Sequence, residues 1–166
     1  DGVPLVGPLG IRRMRAALDA LFAIMRRESV RADEIESMEV CMPHGAARIV
    51  DGNHTGSIDC RTVMATAAID GKIGVDQAEE SLRMRQPDVQ AFKQRIKLVH
   101  DASLDHYFPH NWPAVVRIRC HDGREAKEKV VAATGDRERP VSADALKEKF
   151  CSLTEPVLGR ATADKV

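Results

Sequence analysis

The sequence predicts an α+β domain in which a small, mostly antiparallel sheet packs against helices. One observation is the pair Asp122-Gly123 between two runs with strand character, because this dipeptide favours the tight turn of an antiparallel hairpin. A second is the order of the elements, in which helices precede and follow the hairpin without the regular alternation of a doubly wound sheet. The 166 residues, 43% hydrophobic and 30% charged, have the size and composition of one globular domain.

The first two elements are a helix and a strand. After a Gly/Pro-rich lead-in, apolar residues recur at steps of three and four, which predicts an amphipathic helix. Its apolar positions are Met14, Leu18, Leu21, Phe22 and Met25. Residues 35–42 then alternate, with apolar side chains at 38, 40 and 42, which predicts a strand that Pro43 ends.

A loop and a buried helix follow. The stretch from Gly45 to Gly56 contains three glycines and Asn53, so we predict a loop that carries His44 and His54. Residues 58–69 are mostly small or apolar, which predicts a helix buried nearly all round. Ser57 can cap its start, and Asp70-Gly71 stops it.

The second half supplies short helices, the hairpin and a last helix. Helices are predicted at 76–84 and from Pro87. Residues 96–101 could extend the second of these helices or form a strand, and we favour a strand after about residue 95. The hairpin strands are predicted at 113–121 and 124–133. A two-residue turn would place lysines opposite apolar residues, so we predict a bulge or a longer turn. Pro140 and Ser142 open a last helix with Leu146, Phe150 and Leu153 on one face.

Composition excludes several classes of partner and site. Equal numbers of basic and acidic residues, 25 each, give no global field for nucleic acid or an anionic membrane, and aromatic residues are sparse at 4%. No apolar stretch has the length of a membrane-spanning helix. The four cysteines occur singly, without a metal or redox motif, which favours buried thiols in a reducing compartment and a cytoplasmic protein.

Four residue groups are candidates for chemistry or binding, each beside a simpler interpretation. His100, His106 and His110, with Asp101 and Asp105, are side chains that zinc could use, but their spacing matches no signature, so we favour a polar surface loop and predict no metal or other cofactor. Arginines at 12, 13 and 15 could bind a carboxylate or form a solvated helix face. Cys–His pairs are explained better by packing.

Polar residues on the buried helix form the fourth group. An otherwise apolar segment carries five polar residues, and buried polar groups need hydrogen-bond partners. They are Ser57, Asp59, Arg61, Thr62 and Thr66. A substrate could be such a partner. The simpler interpretation is capping by Ser57 together with hydrogen bonds from the threonines to their own helix.

Three stretches together resemble the C-terminal part of the MmgE/PrpD family, which includes 2-methylcitrate dehydratase, cis-aconitate decarboxylase and iminodisuccinate epimerase. The first is AALDAL at 16–21 followed by the strand ending at Pro43. The second is the 58–71 helix, which ends in Ile-Asp-Gly. The third runs from Pro113 through Asp122-Gly123 to Gly135, Pro140 and Lys149-Phe150. Their order and spacing match over nearly the whole chain.

The resemblance implies a lid domain that closes over a larger, all-helical N-terminal domain. We therefore expect residues 1–166 to be the lid alone, with the larger domain outside this chain, and Asp1 in place of an initiating Met agrees with that expectation. The implied substrate is a small polycarboxylate held between the two domains. The implied chemistry is metal-free proton abstraction that leads to dehydration, decarboxylation or epimerisation in a homodimer.

The resemblance also suggests substrate-binding positions. The family's lid usually carries a lysine and a histidine near the start of the first long helix, where this chain has Arg12, Arg13 and Arg15 instead. A polar or aromatic family position in the buried helix corresponds to Thr62. We predict Arg15 and Thr62 as substrate-binding residues, with His54 as a loop candidate, and assign no catalytic residue. The alternative is a non-catalytic binding or dimerisation module.

Overall fold

The structure is a computed structural model that describes residues 13–52, 59–73 and 82–144, together with positions 146, 147, 150, 151 and 154. Four helices and four strands are defined within this part of the chain, with 3-10 turns at Ala32–Glu34 and Ala102–Tyr107. The helices are α1 (Arg15–Arg27), α2 (His44–Val50), α3 (Cys60–Asp70) and α4 (Pro87–Lys93). The strands are β1 (Ile35–Met42), β2 (Ile96–His100), β3 (Ala114–Cys120) and β4 (Glu125–Val130).

The four strands form one sheet in the order β2-β1-β3-β4. Both β1–β3 and β3–β4 are antiparallel, and in the first of these Val40 lies opposite Val116. In contrast, β1 and β2 are parallel, with Val40 opposite Leu98. Parallel neighbours need a crossover connection, and here the segment that contains α2, α3 and α4 provides it. The predicted α+β fold with a mostly antiparallel sheet is confirmed.

One face of the sheet carries the main core. Helix α1 packs against β3 and β4, and α3 contacts α1, α4 and β2. Leu18, Leu21 and Ile24 of α1 are completely buried. They meet the inward side chains of the central strands, among them Val40 and Ile118. The predicted periodicity of α1 and the predicted strand β1 are therefore both confirmed.

The predicted loop from Gly45 to Gly56 is wrong at its start, where the chain forms helix α2. Glycines made this stretch resemble a loop, but Ala46, Ala47 and Val50 bury one side of a short helix in the core. Tertiary burial therefore outweighs the low helix propensity of Gly45. His54 and the rest of 53–58 lie outside the described residues.

Helix α3 confirms the prediction of a buried helix that stops at Asp70-Gly71. Eight of its residues are buried, including Thr62 and Thr66. As described, the helix begins at Cys60 with Asp59 at the N-cap position, while Ser57 lies outside the described residues. Gly71 follows it in the left-handed conformation, with φ of 67°, where a side chain is disfavoured.

Replacing Gly71 by alanine is expected to lower the free energy of unfolding by about 1 kcal/mol, the usual cost of a left-handed backbone for a residue with a Cβ. An added Cβ would have nothing within 4 Å, so backbone strain is the whole effect. Gly71→Asn is the matched control, because asparagine tolerates this conformation better and should lose less. Urea denaturation measures both variants, and equal losses would contradict the explanation.

The hairpin has the longer turn that the sequence predicts. Cys120 N donates to the carbonyl of Arg124 at 2.9 Å, which leaves three residues in the turn, and Gly123 has φ of 86°. Lys127 consequently lies opposite Arg117 rather than opposite Ile118. The lysines of β4 thereby avoid the apolar face of the sheet.

The remaining predictions have mixed outcomes. Helix α4 and strand β2 are confirmed, whereas most of the helix predicted at 76–84 lies outside the described residues. The described positions between 143 and 154 are helical, yet Leu146 and Phe150 are 50% and 39% exposed, and Leu153 is outside the described residues. The two described side chains of the predicted apolar face, Leu146 and Phe150, are therefore not buried.

The cysteines are free thiols, as predicted. Cys41, Cys60 and Cys120 are buried, and Cys151 is partly exposed. Burial raises the pKa of Cys60 to about 12, so this thiol stays protonated at neutral pH. Among the described residues, no helix has both the length and the apolar character needed to cross a membrane.

Candidate functional site

Two arginines lie at the start of α1, and one of them, Arg13, contacts an aromatic pair. The guanidinium carbon of Arg13 lies 5.9 Å from the ring centroid of Trp112, which is within the range of a cation–π contact. Trp112 meets Phe108 edge to face, with ring centroids 5.1 Å apart. Nη1 of Arg15 donates a hydrogen bond of 3.0 Å to the carbonyl of Thr134. We call the segment with Arg13 and Arg15 the cationic corner. The ring of Trp112 packs against the guanidinium of Arg13.

The Thr134 carbonyl that receives Arg15 is itself held in place. Thr134 N donates to Asp19 Oδ2 at 2.7 Å, and Nη1 of Arg139 lies 3.4 Å from the same oxygen. The chain after β4 is thus tied to the second turn of α1. Arg15 is oriented by the carbonyl of a residue whose N–H is bonded to Asp19, and Arg139 contacts the same carboxylate.

A buried carboxylate lies at the beginning of α3. Asp59 is 3% exposed, and its Oδ2 accepts hydrogen bonds from Thr62 Oγ1 at 2.6 Å and Lys93 Nζ at 2.5 Å. Its buried Oδ1 has no hydrogen-bond partner, and Nε of Arg61 lies 3.7 Å away. Thr66 Oγ1 donates to the Thr62 carbonyl at 2.9 Å, which is the predicted bond from a threonine to its own helix.

The charge of Asp59 is maintained by its neighbours. Burial opposes ionisation, but the hydrogen bonds from Lys93 and Thr62 and the positive charges of Lys93 and Arg61 outweigh it, so the pKa of Asp59 lies below its ordinary value. The proton of the Thr62 hydroxyl is committed to this carboxylate. Asp59 and Lys93 therefore form an ion pair that ties the start of α3 to the last residue of α4.

A third cluster forms where the parallel strands β1 and β2 end. Asp105 Oδ1 accepts a bond of 2.7 Å from the backbone N of His44, and Asp105 Oδ2 lies 3.1 Å from Nε2 of His100. The rings of His44 and His100 are tilted, with centroids 4.7 Å apart. Both contacts on Asp105 hold its pKa below the ordinary value, the bond from His44 N contributing most. We call these three residues the histidine–aspartate cluster.

The predicted site residues occupy separate surroundings. Arg15 bonds Thr134, Thr62 bonds Asp59, and His54 lies outside the described residues. Of the histidines considered for a metal, only His100 belongs to the cluster, while His106 contacts the ring of Tyr107. Within the described residues, no group of three or more His, Cys, Asp and Glu side chains is arranged to hold a metal ion.

Sequence reasoning placed His100 and Asp105 in one candidate group but missed His44, because it put His44 in a loop and His100 on a short strand of unknown partner. The signal that could have found it is the carboxyl ends of two parallel strands, since such ends meet at one edge of a sheet. Without the parallel pairing of β1 and β2, nothing in the spacing joins His44 to His100.

The sequence of this domain matches the model of a known protein family. The family model of the MmgE/PrpD C-terminal domain matches residues 12–166, nearly the full chain. The chain belongs to the MmgE/PrpD family. No curated protein matches it. The match includes Arg13, α1 with Arg15, the α3 segment with Thr62, and all four strands, so every described part of the candidate site lies within the MmgE/PrpD domain.

Proposed function

We propose that this MmgE/PrpD domain is the lid of a lyase or isomerase that acts on a small polycarboxylate. The family match over residues 12–166 carries the proposal, because it assigns the whole described fold to the C-terminal domain of one family. The lid would close over a larger, all-helical N-terminal domain and work in a homodimer. A 2-methylcitrate dehydratase-like reaction is the form that we propose.

The cationic corner at the start of α1 supports this substrate class. Arg15 is half-buried and is oriented by the carbonyl of Thr134, which limits the freedom that its guanidinium would lose on binding a carboxylate. Arg13, two residues earlier in the chain, is held over Trp112. Two guanidinium groups on one short segment favour a ligand with several carboxylates over a neutral ligand. Arg15 and His54 remain proposed substrate-binding residues, and Thr62, whose buried hydroxyl donates to Asp59, would serve the site by positioning that carboxylate.

The proposed chemistry is metal-free abstraction of a proton next to a carboxylate. Such a step needs a positioned base and cations that stabilise the enediolate-like charge as it develops. A guanidinium supplies the second requirement, because its N–H groups can donate two parallel hydrogen bonds to one carboxylate. Loss of water, loss of carbon dioxide or return of the proton to the other face would then complete the reaction.

The first test reads the complete reading frame that encodes the chain and measures ligand binding by its product. We expect the frame to encode an upstream helical domain, and we expect citrate, cis-aconitate or 2-methylcitrate to raise the melting temperature of the two-domain protein. Arg15→Met should weaken binding roughly tenfold to a hundredfold, the usual range for a lost charged hydrogen bond. Arg26→Met, on the last turn of the same helix, is the matched control and should retain binding.

The competing function is a non-catalytic binding or dimerisation module, and the open face of the sheet favours it. A shallow depression of about 500 Å³ on β1, β3 and β4 is lined by Ser37, Glu39, Arg117, Arg119 and Lys127, among others. A charged sheet face of this kind can contact another protein surface. A reading frame without the helical domain, together with no response to any polycarboxylate, would contradict the enzyme proposal and favour this module.

A further inference from the structure

We infer that the histidine–aspartate cluster is a proton-transfer site, in which His100 is the base, Asp105 orients it, and His44 is a second imidazole at the same position. The inference rests on the proposed function, since it gives the lid a base for the reaction of a carboxylate substrate. Three segments that are separate in sequence converge on one carboxylate, at the end of β1, the end of β2 and in the 3-10 turn Ala102–Tyr107.

The geometry divides the two oxygens of Asp105 between two tasks. The backbone N of His44 holds Oδ1 at 2.7 Å, which fixes the carboxylate, and Oδ2 is then directed to Nε2 of His100 at 3.1 Å. A carboxylate placed in this way orients an imidazole and stabilises its protonated form. The side chain of His100 is 42% exposed, so the ring remains open to a ligand.

The hydrogen bond also determines which ring nitrogen can act. An ionised carboxylate only accepts hydrogen bonds, so in neutral His100 the proton is assigned to Nε2, which faces Asp105. Nδ1 then carries the free lone pair and is the basic atom. The His44 ring, 4.7 Å from that of His100, supplies a second group that can donate or accept a proton.

A chain of contacts connects the cluster with the cationic corner. Gly45 follows His44 directly and lies against the ring of Phe108, so close that an added Cβ would be 2.6 Å from Cε1. Phe108 contacts Trp112, and Arg13 lies over Trp112. In the proposed site, a carboxylate held by Arg13 would extend from there to the imidazole pair.

The proposed step is balanced without any further reactant. The C–H bond next to a carboxylate breaks, its proton passes to Nδ1 of His100, and its electron pair moves into the carboxylate as an enediolate. Asp105 stabilises the imidazolium that forms. Return of a proton from the imidazolium to the same carbon regenerates both groups, so the step by itself exchanges the hydrogen with solvent.

Solvent exchange tests this step directly. The two-domain protein is incubated with citrate or 2-methylcitrate in deuterated water, and proton NMR follows loss of the methylene signal. We expect His100→Gln to slow exchange about a hundredfold, the lower end of the usual contribution of a general base, and Asp105→Asn to slow it at least tenfold. His106→Gln changes a histidine that contacts Tyr107 in the same 3-10 turn and should leave the rate unchanged.

Each outcome decides a different point. If the wild type binds citrate but His100→Gln exchanges at the wild-type rate, or if the wild type binds without exchanging, the proton-transfer site is refuted and the polycarboxylate proposal stands. If the wild type binds no polycarboxylate, both fail. Circular dichroism checks folding. Should His100→Gln not fold, Asp105→Asn carries the test, because asparagine can still accept the bond from His44 N while it removes the charge beside His100.

Discussion

Replacing Lys93 by methionine is expected to lower the free energy of unfolding by about 3 kcal/mol, the lower end of the cost of leaving a buried charge without its partner. Asp59 is 3% exposed and receives its only charged hydrogen bond among the described residues from Lys93. The nearest atom of Arg61 is 3.7 Å from the other carboxylate oxygen and compensates only in part. Urea denaturation of the wild type and the variant measures the loss.

Two further variants separate the effect of losing the ion pair from the effect of replacing any lysine by methionine. Lys97→Met, on the exposed side of β2, is the matched control and should change stability by less than about 0.5 kcal/mol. Asp59→Asn combined with Lys93→Met should recover part of the loss, because no buried charge is then left alone. A loss in Lys93→Met as small as that in Lys97→Met would show that the pair contributes nothing.

The ion pair also sets a pH dependence whose sign follows from Asp59. Its pKa in the folded protein lies below the ordinary value of 3.8, which applies when the chain is unfolded. The stabilisation is therefore fully present above that ordinary value and is lost as the pH falls through the lower pKa of the folded state. Asp59→Asn should lose less stability than the wild type over this acid range.

Replacing Gly45 by alanine is expected to destabilise the protein by about 1–2 kcal/mol, within the range for overpacking a tight contact. The added Cβ would lie 2.6 Å from Cε1 of Phe108, and that ring is itself held against Trp112. This steric cost opposes a gain of up to about 1 kcal/mol from the better helix propensity of alanine. Guanidinium denaturation of Gly45→Ala gives the net value.

A second substitution tests the cause. With Phe108→Leu already present, the ring is gone, and Gly45→Ala should now stabilise the protein by about 0.5 kcal/mol through helix propensity alone. If the alanine is equally harmful with leucine at 108, the contact with the ring is not the reason for the glycine.

The pattern of residues within a single segment was sufficient to predict several elements. The spacing of Leu18 and Leu21 predicts α1, the alternation at 38, 40 and 42 predicts β1, and Asp122-Gly123 predicts the hairpin. All three were found, because each depends on side chains within one element that must bury one face. The glycine after α3 was equally informative, since Gly71 adopts the left-handed conformation that ends a helix.

Other features depended on contacts between distant residues. Helix α2 forms at a glycine because Ala46, Ala47 and Val50 reach the core and the glycine lets the helix approach Phe108. The parallel pairing of β1 with β2 joins residues more than fifty positions apart, as in Val40 with Leu98. No periodicity within either segment encodes that pairing, so the meeting of His44 and His100 could not be predicted.

The sequence by itself determined the α+β class, the amphipathic helix α1, the buried helix α3, the hairpin and the resemblance to the MmgE/PrpD C-terminal domain. Only the tertiary structure decided which polar side chains meet, because hydrogen bonds such as Asp59 to Lys93 and Asp105 to His100 join different elements. Short-range spacing specifies which face of an element is buried. The partner of a polar group on that face depends on how the elements pack.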